Sequence, residues 1–154
     1  MKKYKLDFEL VPEELWCVNL RSILSQEDWD KVRRDAYKRA GYRCRICGAN
    51  GRMEAHEKWR YDEKNKLQKL EDVLALCHNC HLVKHIARAS LTGDEGVAMT
   101  HFMKVNNCSQ MDYHSALASA NEDHFRRNQI EGWATDVSWL KERFGMEIKP
   151  TYNR

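Results

Sequence analysis

Four cysteines in two pairs, Cys44-Arg45-Ile46-Cys47 and Cys77-His78-Asn79-Cys80, constrain this chain more than any other feature. A CxxC spacing lets one tight turn aim two sulfurs at a single ion, and two such turns complete the tetrahedral thiolate set of structural zinc sites. One zinc shared by all four is therefore expected. With no coordination position left open, that ion contributes folding free energy rather than chemistry. The 29 residues from Gly48 to Leu76 exceed the usual gap in a zinc ribbon, so a further element must sit between the pairs. Cys17 and Cys108 fall outside the pattern and read as small buried apolar residues.

Cysteines spaced this way suit metal binding in a reducing compartment better than disulfides. The start, Met1-Lys2-Lys3-Tyr4-Lys5-Leu6-Asp7, has no apolar run, and no window approaches the roughly 18 apolar residues of a membrane span. A cytoplasmic protein with no membrane partner is the expectation. The net charge of +3 looks mild until it is divided along the chain. From Lys31 to Arg88 there are 15 Lys or Arg against 7 Asp or Glu, a local +8, which leaves −5 for the rest. A basic middle between acidic flanks suits a segment that faces phosphates.

Residues 5 to 11 alternate polar with apolar up to Pro12, which predicts a strand or extended arm. Ser25 with Asp28 three residues on, an apolar repeat from Trp29 to Ala40, and Gly41 after it predict a helix over 26–40. Arg52 to His56 reads as half of a hairpin, Tyr61 to Lys69 as a polar loop, Leu70 to Leu76 as a second strand, and 79–89 as a helix. Beyond Leu91, one helix is expected over 94–105 and another from the capping box at Ser109 to near Gly132. Trp133 to Leu140 and the last residues give no clear signal.

Glu54-Ala55-His56-Glu57 precedes the polar loop, Asp72 to Cys77 follows it, and Cys80-His81-Leu82-Val83-Lys84-His85 closes the unit. From about Trp29 to His85 this order resembles the zinc-containing branch of the HNH endonuclease family. The resemblance implies an α+β fold with a zinc-stapled ββα-metal core at 25–90. An N-terminal strand or arm at 1–24 and a mainly helical extension at 91–154 would pack on that core.

It also implies a second, catalytic divalent ion, Mg²⁺, Mn²⁺, Zn²⁺ or Ni²⁺, and hydrolysis of phosphodiester bonds, most naturally in double-stranded DNA. His81 corresponds to a metal ligand, and His85, one turn later on the same helical face, to a residue at the metal or the scissile phosphate. Two registers are open on the first strand. If His56 is the general base, the ligand position holds Ala55; if His56 is the ligand, Glu57 stands at the base position. The second keeps a His56, His81 metal pair and is preferred. Asp72 falls where the family has the asparagine that orients the base. Arg33, Arg45, Lys58, Arg60 and Lys84 are the candidates for gripping the nucleic-acid backbone. The alternative is a catalytically degenerate scaffold that binds nucleic acid, or a protein through the C-terminal extension, as a regulator or inhibitor. His78, His101, His114 and His124 read as surface or packing residues.

Overall fold

The computed structural model describes residues 3–148. Among these the fold is α+β, with one three-stranded sheet and seven α-helices. The expected helix is α2 (Gln26–Arg39), which follows the single turn α1 (Leu20–Ile23). Ser25 caps it by accepting the Asp28 N–H at 3.1 Å. It stops because Gly41 adopts φ +62°, which lets Tyr42 and Gly41 donate back to the carbonyls of Tyr37 and Lys38. Trp29, Val32 and Ala36 form its buried stripe.

The segment between the cysteine pairs is a hairpin, β1 (Glu54–Asp62) and β2 (Leu67–Leu76), longer than expected and with a shorter turn. What looked like a loop from Tyr61 to Lys69 is mostly paired strand, joined by residues 63–66. The register slips at Lys58/Trp59, where Lys58 faces Asp72 but Trp59 faces Leu70, leaving Glu71 as the extra residue of a bulge. Leu70 and Val73, three apart, can thereby both be buried although a regular strand alternates its faces.

The pairing of Glu54 with Leu76 sets the start of β1 beside the end of β2. The helix that follows, α3 (His78–Lys84), therefore begins next to Glu54 and His56. The expected helix over 79–89 is in fact two, α3 and α4 (Ile86–Leu91), broken at His85 with φ −102° and ψ 50°. Then come α5 (Glu95–Asn106) and α6 (Gln110–Asn128), the latter opened by the Ser109 and Asp112 capping box. Trp133 to Leu140 contains β3 (Ala134–Asp136), parallel to β2, and the start of α7 (Ser138–Phe144).

Residues 5 to 11 form no strand. They run as an extended arm over α3, where Glu9 N–H donates to the Lys84 carbonyl at 3.0 Å. The backbone of Leu6, which is fully buried, is clipped by one side chain of α5: its N–H donates to Asn106 Oδ1 at 3.0 Å, and Asn106 Nδ2 donates to its carbonyl at 2.7 Å.

Two apolar cores meet along the hairpin. One joins Leu6 of the arm, Ala75 and Leu76 of β2, and Phe102 and Tyr113 of the extension. The other joins Trp29 and Val32 of α2, Leu70 and Val73 of β2, and Val137 and Leu140 from the end of the chain. Arm and extension thus share the cores of the central segment. Cys17, expected to be buried, is exposed.

Candidate metal centres

The first centre is built from the two CxxC turns. Cys44 and Cys47 sit in the loop after α2, where the Cys44 N–H donates to Ala49 O, Gly48 N–H returns to Cys44 O, and Arg45 N–H donates to Ala75 O at 2.9 Å, tying the turn to β2. Gly48 permits this return with φ +78°. Cys77 is the N-cap of α3, and its sulfur accepts the Cys80 N–H at 3.4 Å, as Cys44 Sγ accepts Cys47 N–H at 3.5 Å.

All four sulfurs lie within 4.8 Å of one another, with no disulfide. Cys47 Sγ and Cys77 Sγ are 3.6 Å apart, close to the roughly 3.8 Å edge of a tetrahedron with about 2.3 Å Zn–S bonds. Hydrogen bonding from Cys80, opposed by burial and aided by backbone N–H groups, lowers the Cys44 thiol to about 4. The hydrogen bond to Cys44, with burial and the Cys44 charge, pushes Cys80 far up, while burial raises Cys77. One thiolate blocks the ionisation of its neighbours, and a divalent cation is what allows all four to ionise together. The set can hold a structural metal such as zinc. His101 of α5, expected only to pack, lies with Nε2 3.1 Å from Cys80 Sγ.

The second centre brings together His56 of β1, His81 of α3 and His85 at the break after α3. One ring nitrogen of each lies within 4.8 Å of the others, and the ring centroids are 4.7 to 5.3 Å apart. Burial lowers His81, partly offset by Glu54, and burial with the neighbouring imidazoles brings His85 down to about 3. Both are therefore neutral at pH 7, with lone pairs available to a cation.

Two carboxylates hold the ring orientations. Glu54 Oε1 bonds His81 Nδ1 at 2.7 Å and its other oxygen bonds His78 Nδ1 at 3.0 Å. Glu9, arriving from the arm, bonds His56 Nε2. Burial favours protonation of both acids, but the hydrogen bonds and fields of these histidines, with Lys84 beside Glu9, hold them below the usual carboxylate range. The remaining nitrogen of His56, Nδ1, is the buried side-chain polar atom without a partner among the described residues. A buried nitrogen left unpaired on a ring that meets two further imidazoles fits a metal donor set.

The other expected site residues are less well placed. Glu57 follows His56 on the strand, so its side chain leaves the opposite face, and one of its oxygens accepts the Leu20 N–H at 3.0 Å. Asp72 does not orient an imidazole: its Oδ1 accepts Arg39 at 3.2 Å and the Val73 N–H at 2.7 Å. Lys84 is buried, with its ammonium 2.8 Å from Asp7, and is not free for a phosphate.

Beside the histidines runs a groove of about 1050 Å³, lined by Arg21, Arg33, Arg52 and Arg88 with His81 and His85. Of the expected phosphate contacts, only Arg33 lines it, held by Asp30 at 2.8 Å. Arg45, Lys58 and Arg60 are exposed elsewhere. Sequence reasoning missed Arg21 and Arg88, as well as Glu9 and Glu54, and did not single out Arg52 among the basic residues between Arg33 and Lys84. Glu54 stood two residues before His56, the spacing of one strand face, and was the signal available.

Compared with models of known protein families, with curated proteins and with solved structures, the chain matches none. Fold and site define a class: an α+β protein with a cysteine tetrad suited to a structural metal such as zinc. No helix among the described residues is long and apolar enough to cross a membrane.

Proposed function

We propose that this chain is a metal-dependent endonuclease of the HNH type, with a ββα-metal core made of β1, β2 and α3, that hydrolyses phosphodiester bonds in double-stranded DNA. The observation that carries it is the convergence of His56, His81 and His85 beside an arginine-lined groove. His56, His81 and His85 would hold one divalent ion, Mg²⁺, Mn²⁺, Zn²⁺ or Ni²⁺, apart from the cysteine-bound zinc. When bound, such an ion acidifies water and offsets the charge growing on the departing oxygen.

The chain's own groups do the rest. Arg21, Arg33, Arg52 and Arg88 meet phosphate oxygens along the groove, contacts that fix register and affinity but carry little sequence preference. Glu57 borders the same groove from the strand face opposite His56, with one oxygen held by Leu20 N–H. Glu54 keeps His81 turned so that Nε2 faces the ion.

The experiment is supercoiled plasmid incubated with purified protein and each of the four cations. Nicking that disappears in His81→Ala, while that variant keeps one zinc per chain, supports the assignment. A gel shift by the wild type without cleavage under any cation overturns it in favour of a binding module on the same scaffold.

A further inference from the structure

We propose that Glu9, carried by the N-terminal arm, is the positioning residue that presents Nδ1 of His56 to the divalent ion of the histidine centre. This rests on the metal-site assignment above and adds a part of the chain outside β1, β2 and α3 to it.

The two nitrogens of an imidazole are not equivalent, and the partner of one decides what the other can do. The Glu9 carboxylate lies against Nε2 of His56 and, as a carboxylate only accepts, Nε2 is the nitrogen that carries the proton. The lone pair is then on Nδ1, the buried atom that has no partner among the described residues. Glu54 treats His81 in the mirror sense: it takes Nδ1 and leaves Nε2. Two of the three histidines are thus each turned by a carboxylate behind the ring.

Glu9 acts from behind the ring rather than as a fourth donor. The set of donor atoms that lie within 4.8 Å of one another comprises the three histidines without it. Its own position is built with some care. The Glu9 N–H donates to the Lys84 carbonyl at 3.0 Å, Asp7 holds the Lys84 ammonium at 2.8 Å, and Asn106 grips Leu6 on both backbone groups. A carboxylate 47 residues away in sequence is therefore delivered to one ring nitrogen by three separate anchors.

The test is Co²⁺ binding, followed by calorimetry and by its visible spectrum, to full-length protein already holding one zinc per chain. Wild type should take up one further Co²⁺. Glu9→Gln, which can still accept but carries no charge, should bind more weakly, and Glu9→Ala weaker still, by about 10- to 100-fold. Long-range ¹H–¹⁵N spectra of the imidazoles should report the Nε2–H tautomer of His56 in the wild type and lose that preference in Glu9→Ala. Asp7→Asn removes one of the three anchors while Leu6 and the Glu9 backbone stay held, and should weaken Co²⁺ binding by less than Glu9→Ala does, all four proteins being checked for equal folded fraction by circular dichroism.

Co²⁺ affinity unchanged in both Glu9 variants overturns the positioning role alone and leaves the histidine centre standing. An equal loss in Asp7→Asn overturns it too, because arm docking would then be the cause. Failure of wild type to take a second ion removes the histidine centre and the role of Glu9 together.

Discussion

Replacing Asn106 by alanine cuts both hydrogen bonds that hold the backbone of Leu6. Leu6 is fully buried, so its N–H and carbonyl lose their partners in a place where water does not readily substitute. A buried backbone group left unpaired costs about 1 to 2 kcal/mol, so the pair sums to roughly 2 to 4 kcal/mol. That is a large share of the roughly 5 to 15 kcal/mol that keeps a domain folded. At this chain length it corresponds to a fall in Tm of roughly 5 to 15 °C. Urea unfolding followed by far-ultraviolet circular dichroism measures it, with a lowered midpoint and an unchanged slope. Asn106→Asp retains the acceptor for the Leu6 N–H but turns an anion toward the Leu6 carbonyl, and should cost at least as much as alanine. A loss below about 0.5 kcal/mol in both variants would mean that the arm is not pinned by this side chain, and the reasoning would fall.

The cysteine tetrad can hold a structural metal, and stripping any ion it binds with a strong chelator should unfold the chain around α3, seen as lost helical circular dichroism that returns on adding Zn²⁺; a chelated protein that melts like the untreated one would contradict a structural role. Asp35 accepts from Arg39 at 2.7 Å and from Arg143 at 3.0 Å, and although partial burial alone would raise its carboxyl, these bonds hold it below the usual value of about 3.9. A depressed carboxyl stabilises the fold above its unfolded pKa and loses that contribution as pH falls through its folded one, so the gap in urea midpoint between wild type and Asp35→Asn should be constant from pH 7 to about 5 and close below about 4; a gap that widens on acidification would reverse the sign. Arg52→Ala should lower the slope of log affinity for DNA against log salt by about 0.9, whereas Lys84→Met should leave that slope unchanged because its charge already faces Asp7; equal slopes for both variants would count against the groove.

Local signals carried the helices well. Ser25 and Gly41 mark the two ends of α2, and the box of Ser109 and Asp112 opens α6, because caps are chosen by chemistry within four residues. The hairpin was legible only in part: Leu70 and Val73 break the alternation of a strand, and the bulge at Glu71 that reconciles them is a property of pairing, not of either strand alone. The short β3 depends on the neighbour it adds to, so three residues gave no pattern of their own.

At the site, histidines 56, 81 and 85 were readable from spacing and resemblance. Their convergence follows from the Glu54 to Leu76 pairing, which sets α3 against β1. Asp72 was misjudged because its nearest cation, Arg39, comes from α2. Lys84 was misjudged because its partner, Asp7, is 77 residues away. Glu9 was invisible for the same reason: in sequence it belongs to an alternating stretch that looked like a strand, and only the folded arm brings it to His56.

The division of β2 between two cores has a consequence for synthesis. On a ribosome the hairpin is complete once Leu76 emerges, but Val137, Leu140 and β3, which cover Leu70 and Val73 and pair the outer edge of β2, follow about sixty residues later. At about 5 to 20 residues per second, that leaves an apolar face and an unpaired strand edge open to solvent or to a chaperone for roughly 3 to 12 seconds. Slower translation of the second half would lengthen this interval, making codon choice downstream of Leu76 a determinant of how much protein escapes aggregation.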